Sequence, residues 1–222
     1  MIDLAREGPV FVLRMKDGEN RFNRKFLDAL NHALSEVENS SGPTALVTVG
    51  EGKFYSNGMD LQWLMGGGGR KEFKTFVDEV HQLFGRILEF PLITVAALNG
   101  HAFAGGAMLA LAHDFRVMRS DRGYFCVPEV DLKLPPTPAM TALLQARLSR
   151  QVLHEALGTG KRYGAQEAAD KKIVDDTAPE AEVIPKAMEL AEGLANKDRA
   201  ALKAVKRGLY EGALKILNAA KK

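Results

Sequence analysis

Cysteine is nearly absent. Cys126 is the only one in 222 residues, which excludes an internal disulfide and a cysteine-based zinc site and fits a reducing compartment. An excess of either charge is missing too: 30 basic against 28 acidic residues leave a formal net charge of +2, so no nucleic-acid partner is expected. No apolar run approaches membrane-spanning length, and the opening MIDLAREGPVFVLRM mixes acids and bases as no signal peptide does. The closing NAAKK is not a peroxisomal tripeptide of the S-K-L kind, and a cytoplasmic location is the expectation.

Several enzyme motifs are lacking as well. His32, His81, His101, His113 and His154 show no H-E-x-x-H or other metal spacing, so no metal site is expected. His101 and His113 read as satisfied core or surface histidines, with contact to a site as the alternative. No G-x-S-x-G elbow marks a serine hydrolase, and no G-x-G-x-x-G follows a strand to mark a dinucleotide site. The run from Gly66 to Gly69 continues as Arg-Lys-Glu rather than Gly-Lys-Ser/Thr, which excludes a Walker phosphate loop. Side-chain packing cannot hold such a run, and a mobile loop is expected. Cys126 reads as a small packing residue.

What is present is a composition 46% apolar, enough to bury a large core in one domain with a helical appendage. Val10 to Met15 reads as a strand and Asp17-Gly18 as a turn. Asn23 reads as the N-cap of a helix with Phe26, Leu27, Leu30, Leu34 and Val37 on one face. Thr44 to Val49 is a second strand. Strand, helix, strand is the opening of a layered α/β protein. From Lys71 to Phe90 apolar residues recur at helical spacing, including Phe73, Phe76, Val80 and Phe84, and read as core packing. Later helices are expected from Pro138 to Leu148, Arg150 to Leu157 and Tyr163 to Ile173, then one kinked or started by Pro185 and running through Leu194, and one from Asp198 toward Asn218.

Two stretches carry the chemistry. In NGHAFAGGAMLALAHD (Asn99 to Asp114) the strand Ile93 to Leu98 feeds a turn of small residues and then a helix start. A helix start presents unpaired N–H groups with partial positive charge, suited to holding an oxyanion. FYSNGMDL (Phe54 to Leu61) could aim a second N–H at the same point, and two such donors make an oxyanion hole. Close helix packing with no ligand is an equal reading of Gly105-Gly106. Beyond the turn, Phe115 to Arg119 and Tyr124 to Val127 read as two strands joined by a turn-rich link. Glu129 follows at once, flanked by Val127, Pro128 and Val130, where poor solvation would raise its pKa and make it a better base. A surface glutamate is the alternative.

FYSNGMDL and NGHAFAGGAMLALAHD, in this order and spacing, resemble the two signature segments of the crotonase (enoyl-CoA hydratase/isomerase) superfamily. VPEVDLKL at Val127 to Leu134 and GAQEAADKKIVD ending at Asp175 extend the resemblance. It implies an α/β fold, the ClpP/crotonase-like spiral of ββα units with C-terminal helices, with residues 1–175 as the core and 176–222 as a C-terminal helical segment. It further implies Glu129 as the catalytic carboxylate and the backbone N–H groups of Met59 and Gly105 as the oxyanion hole. Ser56, Gly58, Asp60, Leu61, Gly106 and Met108 would lie at the acyl-binding site.

Hydratases of the superfamily use two glutamates, and methionine stands at the first of these positions, Met108. A thioether cannot activate water as a carboxylate does. The resemblance is therefore strongest to the Δ3,Δ2-enoyl-CoA isomerases, with no cofactor beyond the coenzyme A of the substrate and a homotrimer or dimer of trimers. Hydration, other CoA-thioester chemistry and non-catalytic acyl-CoA binding are the alternatives. Lys203, Lys206 and Arg207 on the last helix read as a solvated face, with a contact to the CoA phosphates as the alternative.

Overall fold

The computed structural model describes residues 2–66 and 69–219. Gly67 and Gly68, the middle of the expected glycine loop, lie outside the described residues. An N-terminal hairpin, β1 (Ile2–Glu7) and β2 (Val10–Met15), precedes α1 (Arg24–Glu38). Asn23 caps α1 by accepting the Phe26 N–H, and the face that the spacing indicates is the buried one. Three strand–strand–helix units follow. They are β3 (Ala45–Gly50), β4 (Phe54–Ser56), α2 (Leu61–Met65) and α3 (Gly69–Leu88); β5 (Ile93–Leu98), β6 (His101–Phe103) and α4 (Gly105–Ala112); and β7 (Phe115–Arg119), β8 (Phe125–Cys126) and α5 (Pro138–Arg147). The chain closes with α6 (Arg150–Thr159), β9 (Arg162–Tyr163), α7 (Ala165–Asp170), β10 (Asp176–Ala178), α8 (Glu180–Leu194) and α9 (Arg199–Leu217).

Each unit places its first strand in a six-stranded sheet, β1-β2-β3-β5-β7-β10, and its second in a four-stranded sheet, β4-β6-β8-β9. Only the outer pairs β1/β2 and β8/β9 are antiparallel. The chain thus steps forward one strand in both sheets with every unit, which is a spiral. The first strands are long and apolar because both sheet faces are covered. Val47, Val49, Val95 and Ala97 face an alanine stripe on α8, Ala187, Ala191 and Ala195, while Leu46, Ala96 and Leu98 face the larger interior core.

The second strands are two or three residues long and carry little periodicity. For that reason β4 and β6 are absent from the sequence-based expectations; the strand expected at Tyr124 to Val127 is β8, and the turn-rich link joins it to β7 across the two sheets. The expected helix end at Leu157 is also displaced. The helix runs to Thr159, and Gly160 caps it in the left-handed conformation. The helix expected over Tyr163 to Ile173 shrinks to Ala165–Asp170 because Arg162 and Tyr163 pair with β8.

A buried polar chain locks α4 to both sheets. Tyr55 Oη and Thr48 Oγ1 lie 2.8 Å apart, Thr48 Oγ1 lies 3.0 Å from His113 Nε2, and His113 Nδ1 lies 2.8 Å from the Leu109 carbonyl. A carbonyl only accepts, so Nδ1 carries the proton and Nε2 accepts from Thr48. The imidazole is neutral, with burial pushing its pKa down to about 3. At acid pH the unfolded chain binds a proton near the ordinary value of 6.5 that the folded chain refuses. Stability is therefore free of this penalty above that pH and falls below it, by about 2 kcal/mol between pH 7 and pH 5. His113→Gln is expected to be less stable at pH 7 but to show a shallower loss on acidification. Urea unfolding of both proteins at the two pH values measures it, and equal slopes would contradict the assignment.

Candidate active site

The first stretch, Ser56 to Met59, is bound to the loop before α1. Phe22 N–H donates to the Gly58 carbonyl at 2.8 Å and Asp60 N–H donates to the Phe22 carbonyl at 2.9 Å. In this parallel bridge the residue opposite Phe22 is Met59, whose own N–H is thereby turned away from Phe22. Ser56 is fully buried and its hydroxyl donates to the Asn20 carbonyl at 2.7 Å. Asp60 caps α2, accepting the Trp63 N–H at 3.0 Å. Both side chains shape the segment and neither lines the cavity.

The second stretch meets the first backbone to backbone. A Cβ on Gly106 would stand 2.1 Å from the Ser56 carbonyl oxygen, and one on Gly58 would stand 2.8 Å from the Gly105 nitrogen. Gly58 also has φ +75, a conformation that side chains rarely adopt. Between the strand and the helix, Ala104 has φ 49 and ψ −120, a strained conformation for a residue with a Cβ. It is held there by its N–H donating to the Cys126 carbonyl at 3.1 Å and its carbonyl accepting from the Met108 N–H at 3.1 Å. The peptide that follows is the one that carries the Gly105 N–H. Among the described residues, neither the Met59 nor the Gly105 N–H donates to a protein acceptor.

Two residues after β8, Pro128 opens a short turn in which Leu134 N–H donates to the Glu129 carbonyl at 3.0 Å. This turn directs Glu129 into the interior, where the residue is 6% exposed and Oε2 is buried without a partner. Burial raises its pKa above the ordinary carboxylate range, offset in part by its own backbone N–H.

Met59, Leu61, Gly105, Met108 and Glu129 line one cavity of about 250 Å³. Gly58, Ser56, Asp60 and Gly106 stand behind its wall. The other wall comes from residues that sequence reading did not name as site residues: Asn57, Phe73, Val77, Val80, His81 and Phe84, with Leu132, Leu134, Thr137 and Met140. The aromatic stripe of α3 is thus divided, with Phe76 fully buried in the core and Phe73 and Phe84 at the cavity. Helical spacing assigns a face but does not say whether protein or a void lies opposite. His101 lies outside the cavity, packed with Phe54, Phe103 and Tyr124.

The basic residues of α9 are not a free solvated face. Lys206 is 3% exposed and donates to Asp114 at 2.6 Å and to the Leu92 carbonyl at 2.8 Å, while Lys203 pairs with Glu38 and Arg207 with Glu89. Asp114 lies at the end of α4, far along the chain from α9, so no local pattern announced this pair.

An apolar cavity holding a carboxyl with one buried, unpaired oxygen and two unpaired backbone N–H groups can accept a proton from carbon and hold the negative charge that results. The carboxyl of Glu129 is expected to titrate above the ordinary carboxylate range. The infrared difference between wild type and Glu129→Gln across pH isolates its band, and a midpoint at or below that range would contradict the burial described.

Residues 5–220 match the family described as enoyl-CoA hydratase/isomerase. The Arabidopsis thaliana protein named enoyl-CoA delta isomerase 3 is 35% identical over 204 residues, 89% of this chain and 86% of that protein. A probable enoyl-CoA hydratase of Bacillus subtilis is 31% identical, covering 97% of this chain and 86% of its own. Among solved structures, the apo form of an enoyl-CoA isomerase from Mycobacterium tuberculosis superimposes with a TM-score of 0.91 at 27% identity, covering 98% of this chain and 94% of that one.

Proposed function

This chain belongs to the enoyl-CoA hydratase/isomerase family and has the crotonase spiral, and from that premise we propose that it is a Δ3,Δ2-enoyl-CoA isomerase working through a single carboxylate. The observation that carries the proposal is the buried Glu129 carboxyl, with Oε2 partnerless, on a cavity where Met108 stands in place of a second acid. The names of the relatives at 35% and 34% identity, enoyl-CoA delta isomerases 3 and 2 of Arabidopsis thaliana, support the same reading.

A thioester carbonyl acidifies the α-carbon, and a double bond at C3 acidifies it further by spreading the dienolate to C4. Glu129 takes the C2 proton while the thioester oxygen, gaining negative charge, accepts hydrogen bonds from the Met59 and Gly105 N–H groups. Such donors contribute roughly 3 kcal/mol each to the transition state in other enzymes. The Glu129 carboxylic acid then returns its proton to C4, leaving the double bond between C2 and C3. Charge and atoms balance on the substrate and one carboxyl. No cofactor is called for beyond the CoA that the substrate carries.

Burial serves this step because it brings the pKa of the acid toward that of a base useful near neutrality. Met108, Met59 and Met140 surround the path with polarisable, apolar side chains that hold no water for addition across the double bond. The assembly we propose is a homotrimer or a dimer of trimers, in line with the resemblance. Exposed Val205 and Leu209, one turn apart on α9, offer apolar surface for such contacts.

Wild-type protein given 3-enoyl-CoA is expected to yield 2-enoyl-CoA, with little 3-hydroxyacyl-CoA from 2-enoyl-CoA. Glu129→Gln should lose isomerisation by several orders of magnitude while still folding, because it keeps the shape and removes the proton carrier. Chromatography of the products with both substrates measures this. Turnover by Glu129→Gln within tenfold of wild type would overturn the assignment.

A further inference from the structure

The cavity at Glu129 ends on a hydrogen bond. His81 Nε2 and Thr137 Oγ1 lie 3.2 Å apart, joining the middle of α3 to the N-cap of α5. On the far side is a groove of about 370 Å³ between α3, α5 and the end of α9, with an apolar lining that includes Ile216 and Leu217. Cavity and groove share Phe73, Val77, His81 and Thr137 as a common wall. Phe73 and Ile216 are 49% and 43% exposed, so the groove opens outward, and its charged members Lys74 and Asp78 pair with each other at 2.9 Å.

We propose that the His81–Thr137 hydrogen bond is the stop that limits how much of an acyl chain the inner cavity takes, and that the groove beyond it receives the distal methylenes of longer chains. The proposal rests on the acyl-CoA reading above. Its occupant follows from continuity: only a flexible apolar chain already held in the cavity can pass a wall of four side chains into a second apolar space. Of the two polar members of that wall, Thr137 is fixed, since its hydroxyl oxygen also accepts the Met140 N–H at 3.2 Å and caps α5. His81 makes no other side-chain hydrogen bond among the described residues, which makes it the member that can move. Burial lowers its pKa, against the Asp78 carboxylate that raises it, and a neutral ring can leave its partner without stranding a charge. On its own helix the charge that acts on the ring is Asp78, and from α5 the ring meets Thr137.

Calorimetric titration with saturated hexanoyl-, decanoyl- and dodecanoyl-CoA tests this independently of turnover. Each methylene newly buried strengthens binding about fourfold. In His81→Ala the dodecanoyl-to-hexanoyl affinity ratio is expected to rise at least tenfold over wild type, and Ile216→Trp added to it, filling the groove from the far side, should cancel the gain. His81→Val, closer to the original bulk, serves if the alanine variant does not fold and should shift the ratio the same way. A ratio within threefold of wild type in the folded variants, or a gain that survives Ile216→Trp, would overturn the stop. Wild type that binds no acyl-CoA of any length would overturn the acyl-CoA reading and this one with it, whereas binding without isomerisation would overturn the isomerase assignment alone.

Discussion

Two stretches of backbone touch where Gly106 meets Ser56, and the rest of the site depends on that contact. With 2.1 Å between a hypothetical Gly106 Cβ and the Ser56 oxygen, no side chain fits without forcing the segments apart. The approach brings the Gly58–Met59 peptide beside the Ala104–Gly105 peptide, so two N–H groups from different spiral units can serve one oxygen. The spiral makes this possible. Each unit adds a short strand to the small sheet directly beside the one before it, β4 beside β6 and β6 beside β8. Three equivalent strand ends then deliver Met59, Gly105 and Glu129 to neighbouring points.

Holding them there costs strain and desolvation. Ala104 sits in a conformation worth roughly 1–3 kcal/mol of strain. Glu129 keeps a carboxyl oxygen buried and unpaired, a further penalty on the order of 1–3 kcal/mol. Several other buried polar groups are satisfied. His113 has a partner at each ring nitrogen, Arg116 reaches Asp175 and two carbonyls, and Lys206 neutralises Asp114. The contrast separates structure from chemistry within one interior: these paired groups fasten elements together, while the unpaired Glu129 oxygen is on a residue that lines the cavity and remains available to a substrate.

Much of the fold was legible in particular residues. Asn23, Asp60, Thr137, Ser149 and Asp198 each cap a helix through a local side-chain bond, and all five stand where helix starts were read or where a signature segment ended. Continuous apolar runs marked β3 and β5 because both faces of a parallel sheet are covered. Of the small sheet only β8 was legible, since strands of two or three residues have almost no period to detect. Nor was Lys206, whose role is set by Asp114 across 92 positions of chain.

The sequence by itself determined the local grammar: strand runs, capped helices, glycines where backbones must approach, and a glutamate set among apolar neighbours just past a strand. Those are properties of bonds and contacts within a few residues, and composition and spacing record them. Only the tertiary structure decided that Glu129 is buried without a partner, that α3 presents Phe73, Val77 and His81 to a void while Phe76 meets protein, and that Ser56 and Gly106 stand behind the cavity wall. The physical reason is that solvation and emptiness are set by what stands opposite a side chain, and what stands opposite comes from distant parts of the chain.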